Sequence, residues 1–443
     1  MRTLAWLGAL ACVVGCGGSG ATPDGGPDGG SDGDVGADGG DGAAADACVG
    51  LKCQQHACTK ISGTVYDPAA TNPLYGVVVY VPSANLDPFP PGVACETCQS
   101  QISGAPIASA ITDANGHFSI ANAPDGANIP LVIQVGRWRR SITIPNVGQC
   151  QDNALPDKTL SLPKNHNEGD IPNIAVSIGA ADSVECLLRR FGIDAAEFTP
   201  GAAGPGRVHI FHGGQGGPNT NPAAPESYQS LWDSSADISK FDMVLLSCEG
   251  VETASTNQQV LFNYVAAGGR VYASHFHYSW FNSGPFGAKN LATWTAGSNL
   301  IGTVNTNPVT TLPSSQLFPK GQAFQQWLGG VKALTSGKLP INAARHNADV
   351  SAANTASQAW LLVDTTNIQA EAFTFNAPFN IPNQCGRVVF SDVHVGAADY
   401  GGSMIVPTGC SSNPLSPQEL ALEFMLFDLA ACVTPNDQAP KAP

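Results

Sequence analysis

Short apolar segments separated by turn residues fill the chain from residue 60 to residue 165. Six of them are rich in β-branched residues and are divided by Pro, Asn, Asp and Gly: ISGTVYD, YGVVVYVP, PIASAITD, HFSIANA, IPLVIQVG and RSITIPN. No helical period interrupts this series. The pattern predicts two packed antiparallel sheets, so residues 60–165 are expected to form an all-β sandwich.

The pattern changes at residue 171, where continuous apolar strands begin to alternate with helices. The predicted strands are IPNIAVSIG, RVHIFHGG, FDMVLLSCEG, RVYASHFHY, AWLLVD, EAFTFN and GRVVFSDVHV. The predicted helices are ADSVECLLRRFGI, TNQQVLFNYVAAGG and SPQELALEFMLFDLAAC. This alternation is typical of a largely parallel sheet covered on both faces. Residues 171–433 are therefore expected to form an α/β domain with a flavodoxin-like or amidotransferase-like sheet, which makes the protein multidomain.

The first sixteen residues have the pattern of an export signal. Arg2 is positively charged, residues 4–14 are apolar but too short to span a bilayer, and Gly15 and Cys16 end the segment. The run VVGC at 13–16 resembles the lipobox of bacterial lipoproteins, which implies export, a lipid on Cys16 and attachment to the outer membrane or the cell surface. A plain secretory peptide with an incidental cysteine is the alternative.

Composition identifies two segments that are expected to stay disordered. Residues 17–59 are rich in Gly and Asp and also carry a group of cysteines, and residues 434–443 form a short polar tail. Segments with so few apolar residues cannot offset the entropy of ordering, so the first is expected to act as a tether. The chain has 20 Lys and Arg against 35 Asp and Glu, a net charge of −15. This balance excludes an electrostatic case for nucleic-acid binding.

The cysteine content indicates an oxidising compartment. The chain has 13 cysteines, and setting aside Cys12 in the signal and Cys16 at the anchor leaves an odd number, so at least one stays unpaired or pairs outside the chain. Cys95 and Cys98 form a CxxC motif, which is found in redox and zinc sites. Because the chain has no second CxxC, a local disulfide or two separate structural disulfides is favoured.

Three motifs in the predicted sandwich resemble the carboxypeptidase regulatory-like, or transthyretin-like, family. They are GTV at 63–65, PLYGV at 73–77 and TDANGHF at 112–118. In that family the second motif opens a strand, and the third marks a turn with glycine at its tight position. The resemblance covers about a quarter of the chain and implies a non-catalytic accessory, spacer or binding module.

Polar residues follow the predicted parallel strands of the second region. Because ligands of such sheets bind beyond the carboxyl ends of the strands, these residues are the candidate site. The candidates for catalysis are Cys248, Glu249, His275, Asp392 and His394. A buried structural or disulfide-bonded cysteine is the favoured interpretation of Cys248, and an activated thiolate near His275 or His277 is the alternative.

A divalent metal is the candidate cofactor of this edge. His275 and His277 are two residues apart on a predicted strand, so their imidazoles would share one face, and His394 or Asp392 would complete the site. The metal set is therefore His275, His277 and His394, with an open position for water. Histidines that only hydrogen-bond to neighbouring backbone are the competing interpretation.

Several of the same segments resemble the ThuA-like, or trehalose-utilisation, branch of the class I glutamine amidotransferase-like fold. They are FDMVLLSCEG, the helix ending YVAAGG, RVYASH and GRVVFSDVH, and a segment of about 283–345 interrupts the match. In true amidotransferases the nucleophilic cysteine follows the strand that here reads RVYAS. This chain has Ser274 and His275 there and lacks the late His-x-Glu pair, so amidotransfer is disfavoured.

Two functional hypotheses follow from these features. The first is a membrane-anchored binding or structural protein of the cell envelope, with a glycan as its candidate ligand, because Tyr278 and Trp280 follow the histidines and His212 lies at the same edge. The second is a hydrolase, metal-dependent or not and acting on carbohydrate, that uses the His and Asp residues. The incomplete nucleophile–base–acid set favours the first.

Overall fold

The structure is a computed structural model that describes residues 58–96, 98–215, 217, 219–220, 226–253, 257–395 and 405–442. From residue 58 onward these residues belong to one compact unit. The predicted signal segment, Cys16 and nearly all of the predicted tether lie outside the described residues. None of the described helices has the length and apolar character that crossing a membrane requires.

The first region consists of strands that form two sheets. In chain order the strands are β1 (Lys60–Tyr66), β2 (Val78–Pro82), β3 (Pro106–Ile111), β4 (His117–Ala121), β5 (Gly126–Val135), β6 (Trp138–Val147), β7 (Asp152–Ala154) and β8 (Leu160–Ser161). One sheet has the order β4-β1-β7 with β8 also paired to β1, and the other has the order β3-β2-β5-β6. The second sheet is antiparallel as predicted, but β7 and β8 pair with β1 in parallel, so the first sheet is mixed. The six strands predicted from the alternating pattern correspond to β1–β6.

The second region alternates strands and helices. Its strands are β9 (Ile174–Ile178), β10 (Phe198–Pro200), β11 (Val208–His212), β12 (Asn219–Thr220), β13 (Glu226–Ser227), β14 (Met243–Leu246), β15 (Arg270–Ser274), β16 (Thr293–Trp294), β17 (Leu300–Pro308), β18 (Leu339–Arg345), β19 (Ala348–Asp349), β20 (Ser357–Val363), β21 (Ala370–Ala377), β22 (Gly386–Ser391) and β23 (Ile405–Val406). Its helices are α1 (Val184–Arg190), α2 (Gln229–Trp232), α3 (Ser235–Ile238), α4 (Gln258–Ala266), α5 (Gly284–Gly287), α6 (Pro319–Gly330) and α7 (Pro417–Ala430). Two 3-10 helices cover Ala195–Glu197 and His275–Trp280.

The main sheet is half parallel and half antiparallel. Its order is β10-β11-β9-β14-β15-β22-β21-β20-β17-β18, with β13 also paired to β11. The first six strands are parallel, and the pairs from β22 to β18 are antiparallel. The connections between β20, β21 and β22 are too short for a crossover helix, which a parallel pair needs. The expectation of a largely parallel sheet therefore holds for these six strands and for β13, which pairs with β11 in parallel. The segment 283–345, which interrupts the sequence match, supplies β17 and β18.

Side chains of the parallel strands alternate between two apolar layers. Leu245 and Tyr272 point to the layer that contains α1 and α7, whereas Val244 and Val271 point to the layer that contains α4. This alternation is the two-residue period of a strand that is buried on both faces. The α7 layer continues into the sandwich, because the ring of Trp138 lies 5.3 Å from that of Phe427.

Disulfides join distant parts of the chain. Cys95 pairs with Cys385 and Cys98 with Cys432, so the two cysteines of the CxxC motif have separate partners. This is the second of the two structural alternatives expected from the sequence. A third bridge joins Cys186 to Cys410. Among the described cysteines the free one is Cys248, which is buried.

Candidate functional site

Three adjacent parallel strands deliver the central side chains of the site. β14 is followed by Cys248, β15 by His275 and β22 by His394. Because β14 pairs with β15 and β15 with β22 in parallel, their carboxyl ends lie at one edge of the sheet. Residues far apart in sequence therefore meet there.

Cys248, His275 and His394 form a compact group, called here the Cys–His–His cluster. The Sγ of Cys248 lies 3.2 Å from Nδ1 of His275. The imidazole rings of His275 and His394 are 5.0 Å apart at an interplanar angle of 77°. One donor atom from each of the three residues lies within 4.8 Å of the others. The group therefore has the dimensions of a single small site.

The segment that carries His275 and His277 is a 3-10 helix rather than the end of a strand, which corrects the sequence prediction. The backbone of His275 has a φ of 44°, in the left-handed region that side chains other than glycine rarely adopt. This turn separates the two imidazoles. Nε2 of His277 lies 2.9 Å from the carbonyl oxygen of Ser247, so His277 does not join His275 and His394 on a shared face.

Burial keeps the cluster uncharged at neutral pH. Burial lowers the pKa of His275 to about 4, and the charge of Arg345 adds to this effect. Burial, followed by the neighbouring His275, lowers the pKa of His394 to about 3. Burial also raises the pKa of the Cys248 thiol to about 12. The site thus holds two neutral imidazoles and a protonated thiol, which is a poor nucleophile.

Two buried carboxyl groups, those of Asp392 and Glu371, interact with each other near the end of β22. Oδ2 of Asp392 accepts a hydrogen bond of 2.8 Å from the backbone N–H of Asn347, and burial raises the pKa of Asp392 to about 7. Burial and the nearby Asp392 raise the pKa of Glu371 well above its usual value. Sequence reasoning placed Asp392 at this edge but missed Glu371. The available signal was the acidic residue Glu371 at the start of the predicted strand EAFTFN.

Glu249 and His212 lie outside the Cys–His–His cluster. Oε2 of Glu249 accepts a hydrogen bond of 2.8 Å from the backbone N–H of Gly214, in the loop after β11, and burial raises the pKa of this carboxyl. His212 is half-buried at the end of β11, and its carbonyl accepts a hydrogen bond from the N–H of Tyr228. The contacts of Glu249 fasten a loop to the strand edge.

Tyr278 and Trp280 belong to the core, which corrects the expectation of a stacking surface for a glycan. Their side chains are 0% and 1% exposed. The ring of Trp280 packs 4.7 Å from that of Trp232. The hydroxyl of Tyr278 donates to the carboxylate of Glu252 and accepts from the N–H of Gly297. Protein atoms therefore occupy the positions that a sugar ring would need.

Asp182, which follows the first parallel strand, links the strand ends. Its Oδ2 accepts a hydrogen bond of 2.5 Å from the hydroxyl of Ser274, and its Oδ1 accepts from the N–H groups of Val395 and Ser183 at 2.8 and 3.0 Å. Asp182 is fully buried, and burial raises its pKa to about 7. It therefore ties the end of β15 and the segment that follows β22 to the residue before α1.

Replacing Asp182 with asparagine is expected to remove part of the pH dependence of stability. The folded carboxyl has a pKa of about 7 against 3.8 in the unfolded chain. Its contribution to stability is therefore full below the lower value and lost as the pH rises through the upper one. Asparagine mimics the protonated acid, so Asp182→Asn should gain a few kcal/mol relative to wild type between these values. Urea unfolding at several pH values measures this.

Asp182→Ala provides the control for this substitution. It leaves the N–H groups of Val395 and Ser183 without their acceptor, so it should destabilise the protein at every pH. The free energies of unfolding of wild type and Asp182→Asn could instead differ by a constant amount from acid to neutral pH. Asp182 would then be ionised in the folded protein, and its pKa would not be raised.

Comparison with known proteins places no family name on the whole chain. No protein family model matches it, and no curated protein sequence does. Among solved structures, it is similar to a protein described as ThuA-like from Parabacteroides merdae, with 12% identity, 60% of this chain and 93% of that chain covered, and a TM-score of 0.33. A second ThuA-like protein, from Bacteroides uniformis, has 9% identity, coverages of 57% and 88%, and a TM-score of 0.28.

A further similarity is to a type II cohesin–X-dockerin complex from Acetivibrio cellulolyticus. It has 14% identity, covers 31% of this chain and 85% of that chain, and has a TM-score of 0.18. All of these similarities are partial and of low identity. The chain's structural neighbours thus include ThuA-like proteins.

Proposed function

We propose that this chain is an exported lipoprotein, anchored to a membrane through Cys16, that serves as a binding or structural protein of the cell envelope. The main support is its pattern of disulfides. Cys95–Cys385 and Cys98–Cys432 join residues 290 and 334 positions apart. Bridges of this kind persist in oxidising compartments outside the cytoplasm. The apolar segment that ends in Cys16 and the Gly/Asp-rich segment 17–59 agree with such a location.

We further propose that residues 60–165 form a carboxypeptidase regulatory-like spacer module and that residues 171–433 form a ThuA-like domain. The motif at 112–118 supports the first assignment. The six parallel strands with polar residues after β14, β15 and β22 support the second. In this arrangement the lipid and tether hold the sandwich and the α/β region away from the membrane.

A binding or structural role agrees better with the site than hydrolysis does. One observation favours a hydrolase, since the thiol of Cys248 lies 3.2 Å from His275 Nδ1, as in a nucleophile–base pair. Cys248 is however 0% exposed, and burial raises the pKa of its thiol to about 12. A substrate could reach this sulfur only after the surrounding structure opened.

Replacing Cys16 with alanine is expected to release the protein from the membrane. The lipid is attached to the sulfur of Cys16, so Cys16→Ala should abolish labelling by radioactive palmitate and move the protein to the soluble exported fraction. Cys12→Ala is the matched control, because it changes a cysteine of the same apolar segment. It should remain labelled and membrane-bound, since it keeps Cys16. Equal palmitate labelling of wild type and Cys16→Ala would contradict the proposal.

A further inference from the structure

The Cys–His–His cluster has the donor set of a transition-metal site. Thiolate sulfur and imidazole nitrogen are the ligands preferred by copper and zinc ions, whereas calcium and magnesium prefer oxygen. We propose that Cys248, His275 and His394 bind one Cu⁺ ion in three-coordinate geometry. This site goes beyond the anchored envelope protein proposed above and does not depend on it.

Distances support one shared ion. A metal held at about 2.3 Å from sulfur and about 2.0 Å from nitrogen places its donor atoms roughly 3 to 4 Å apart. Cys248 Sγ and His275 Nδ1 are 3.2 Å apart, and the three residues offer donor atoms that all lie within 4.8 Å of one another. Small side-chain rotations are therefore enough to bring the three donor atoms to coordination distance from one ion.

The surroundings of His275 fix which of its nitrogens is free to bind. Nε2 of His275 lies 3.2 Å from the carbonyl oxygen of Ser298, to which it can only donate a hydrogen bond. The proton therefore resides on Nε2, and the lone pair of Nδ1 faces Cys248. Such a hydrogen bond from the second nitrogen is the usual way in which proteins orient a metal-binding histidine.

His394 is also held in place, through its backbone. Its backbone carbonyl accepts a hydrogen bond of 2.7 Å from the side-chain amide of Gln418 on α7. Among the described residues no hydrogen-bond partner occupies the imidazole of His394, which contacts the ring of His275 instead.

Charge balance favours Cu⁺ over Zn²⁺. Binding replaces the S–H bond of Cys248 with an S–Cu bond and releases one proton to water, and the copper keeps its oxidation state. The Cu⁺ ion and the thiolate together carry no net charge. A Zn²⁺ ion with the same three ligands would carry one net positive charge in a buried site.

The position of His277 sets this site apart from the one expected from the sequence. Its Nε2 is directed to the carbonyl of Ser247 at 2.9 Å. The carboxyl of Asp392 is likewise engaged, since its Oδ2 accepts from the N–H of Asn347. The thiol of Cys248 therefore takes the place that the sequence pattern gave to His277.

Anaerobic titration of the full, detergent-solubilised chain with Cu⁺ tests the proposal, with a coloured Cu⁺ chelator as competitor. Wild type is expected to retain one equivalent of Cu⁺, and Cys248→Ser to bind it at least about 100-fold more weakly. His277→Gln is the matched control, because it removes an imidazole of the same 3-10 helix, and it should bind like wild type. Production in copper-supplemented medium allows the buried site to fill during folding.

Three results would overturn the proposal. They are a folded wild type that takes up no Cu⁺, a Cys248→Ser protein that keeps wild-type affinity, and displacement of the copper by equimolar Zn²⁺. Thermal unfolding of each variant reports whether it is folded. Should Cys248→Ser not fold, the copper-edge X-ray absorption spectrum of wild type decides the matter, because the proposed site requires one sulfur neighbour and a spectrum with nitrogen and oxygen neighbours alone rejects it.

Discussion

Removing both disulfides that start in the CxxC motif is expected to destabilise the protein by more than twice the loss from removing either one. Cys95–Cys385 and Cys98–Cys432 span 290 and 334 residues. Because the bridge Cys186–Cys410 remains, the loop that a first bridge closes is shortened to about 115 residues. In the chain-entropy description such a bridge stabilises the fold by roughly 5 kcal/mol. With that bridge in place, the second closes a loop of only about 50 residues and adds roughly 4 kcal/mol.

Each single removal should therefore cost about 4 kcal/mol and the double removal about 9 kcal/mol, because either bridge alone keeps the larger loop closed. Alanine is the suitable replacement, since Cys385 is buried and a serine there would bury a hydroxyl. Guanidinium unfolding followed by tryptophan fluorescence measures the three variants. Strictly additive losses would show that the two bridges do not share one loop.

Cys248→Ala is the control for these variants. It changes a cysteine that is free and buried, so it removes a thiol without opening any loop. In copper-free protein its effect should be that of a small core substitution, and its unfolding transition should stay close to that of wild type. A loss as large as that of a bridge variant would mean that lost packing, rather than lost cross-linking, explains the result.

The elements of this fold are encoded locally, but their pairing is not. The strands β1–β6 and the parallel strands β9, β11, β14, β15 and β22 could be predicted, because alternation and apolar runs are properties of a few consecutive residues. The antiparallel half of the main sheet depends on the lengths of the β20–β21 and β21–β22 connections and on where the segment 283–345 folds back. The disulfide partners likewise depend on contacts between residues hundreds of positions apart.

In the candidate site, too, some residues could be predicted from the local sequence and others could not. The rule that ligands bind beyond the ends of parallel strands selected Cys248, His275 and His394 from the sequence. The left-handed turn at His275 was not visible, because a positive φ at a histidine leaves no pattern in the neighbouring residues. Because of this turn, the imidazole of His277 contacts the carbonyl of Ser247 and does not belong to the ligand set that was expected from the sequence.

Replacing Asp428 with asparagine is expected to lower the free energy of unfolding on the order of 5 kcal/mol. Its carboxylate accepts a hydrogen bond of 2.7 Å from Lys320 Nζ and a second from Arg387 Nη1, and all three side chains are buried. Burial alone would raise the pKa of Asp428, but the charges of Lys320 and Arg387 outweigh it and hold the pKa below its usual value. Asparagine leaves both cations without a counter-charge in the core.

Lys320→Met should not lower the free energy of unfolding, although it breaks the same ion pair. Burial and the charge of Arg387 lower the pKa of Lys320 to about 8, and the attraction of Asp428 restores only part of the loss. Removing the lysine leaves Arg387 paired with Asp428 and relieves repulsion between cations. Methionine fills a similar volume, so Lys320→Met is expected to be neutral or stabilising at neutral pH.

The pH dependence provides a separate test of Lys320. Its pKa is about 8 in the folded protein and 10.5 in the unfolded chain, so between these values the unfolded state binds more protons. The stability of wild type should therefore rise relative to Lys320→Met by roughly 3 kcal/mol across this range. Buried tyrosines affect both proteins equally and cancel in the difference. A constant difference between the two curves would mean that the buried lysine stays charged, and the cost assigned here to its burial would then be wrong.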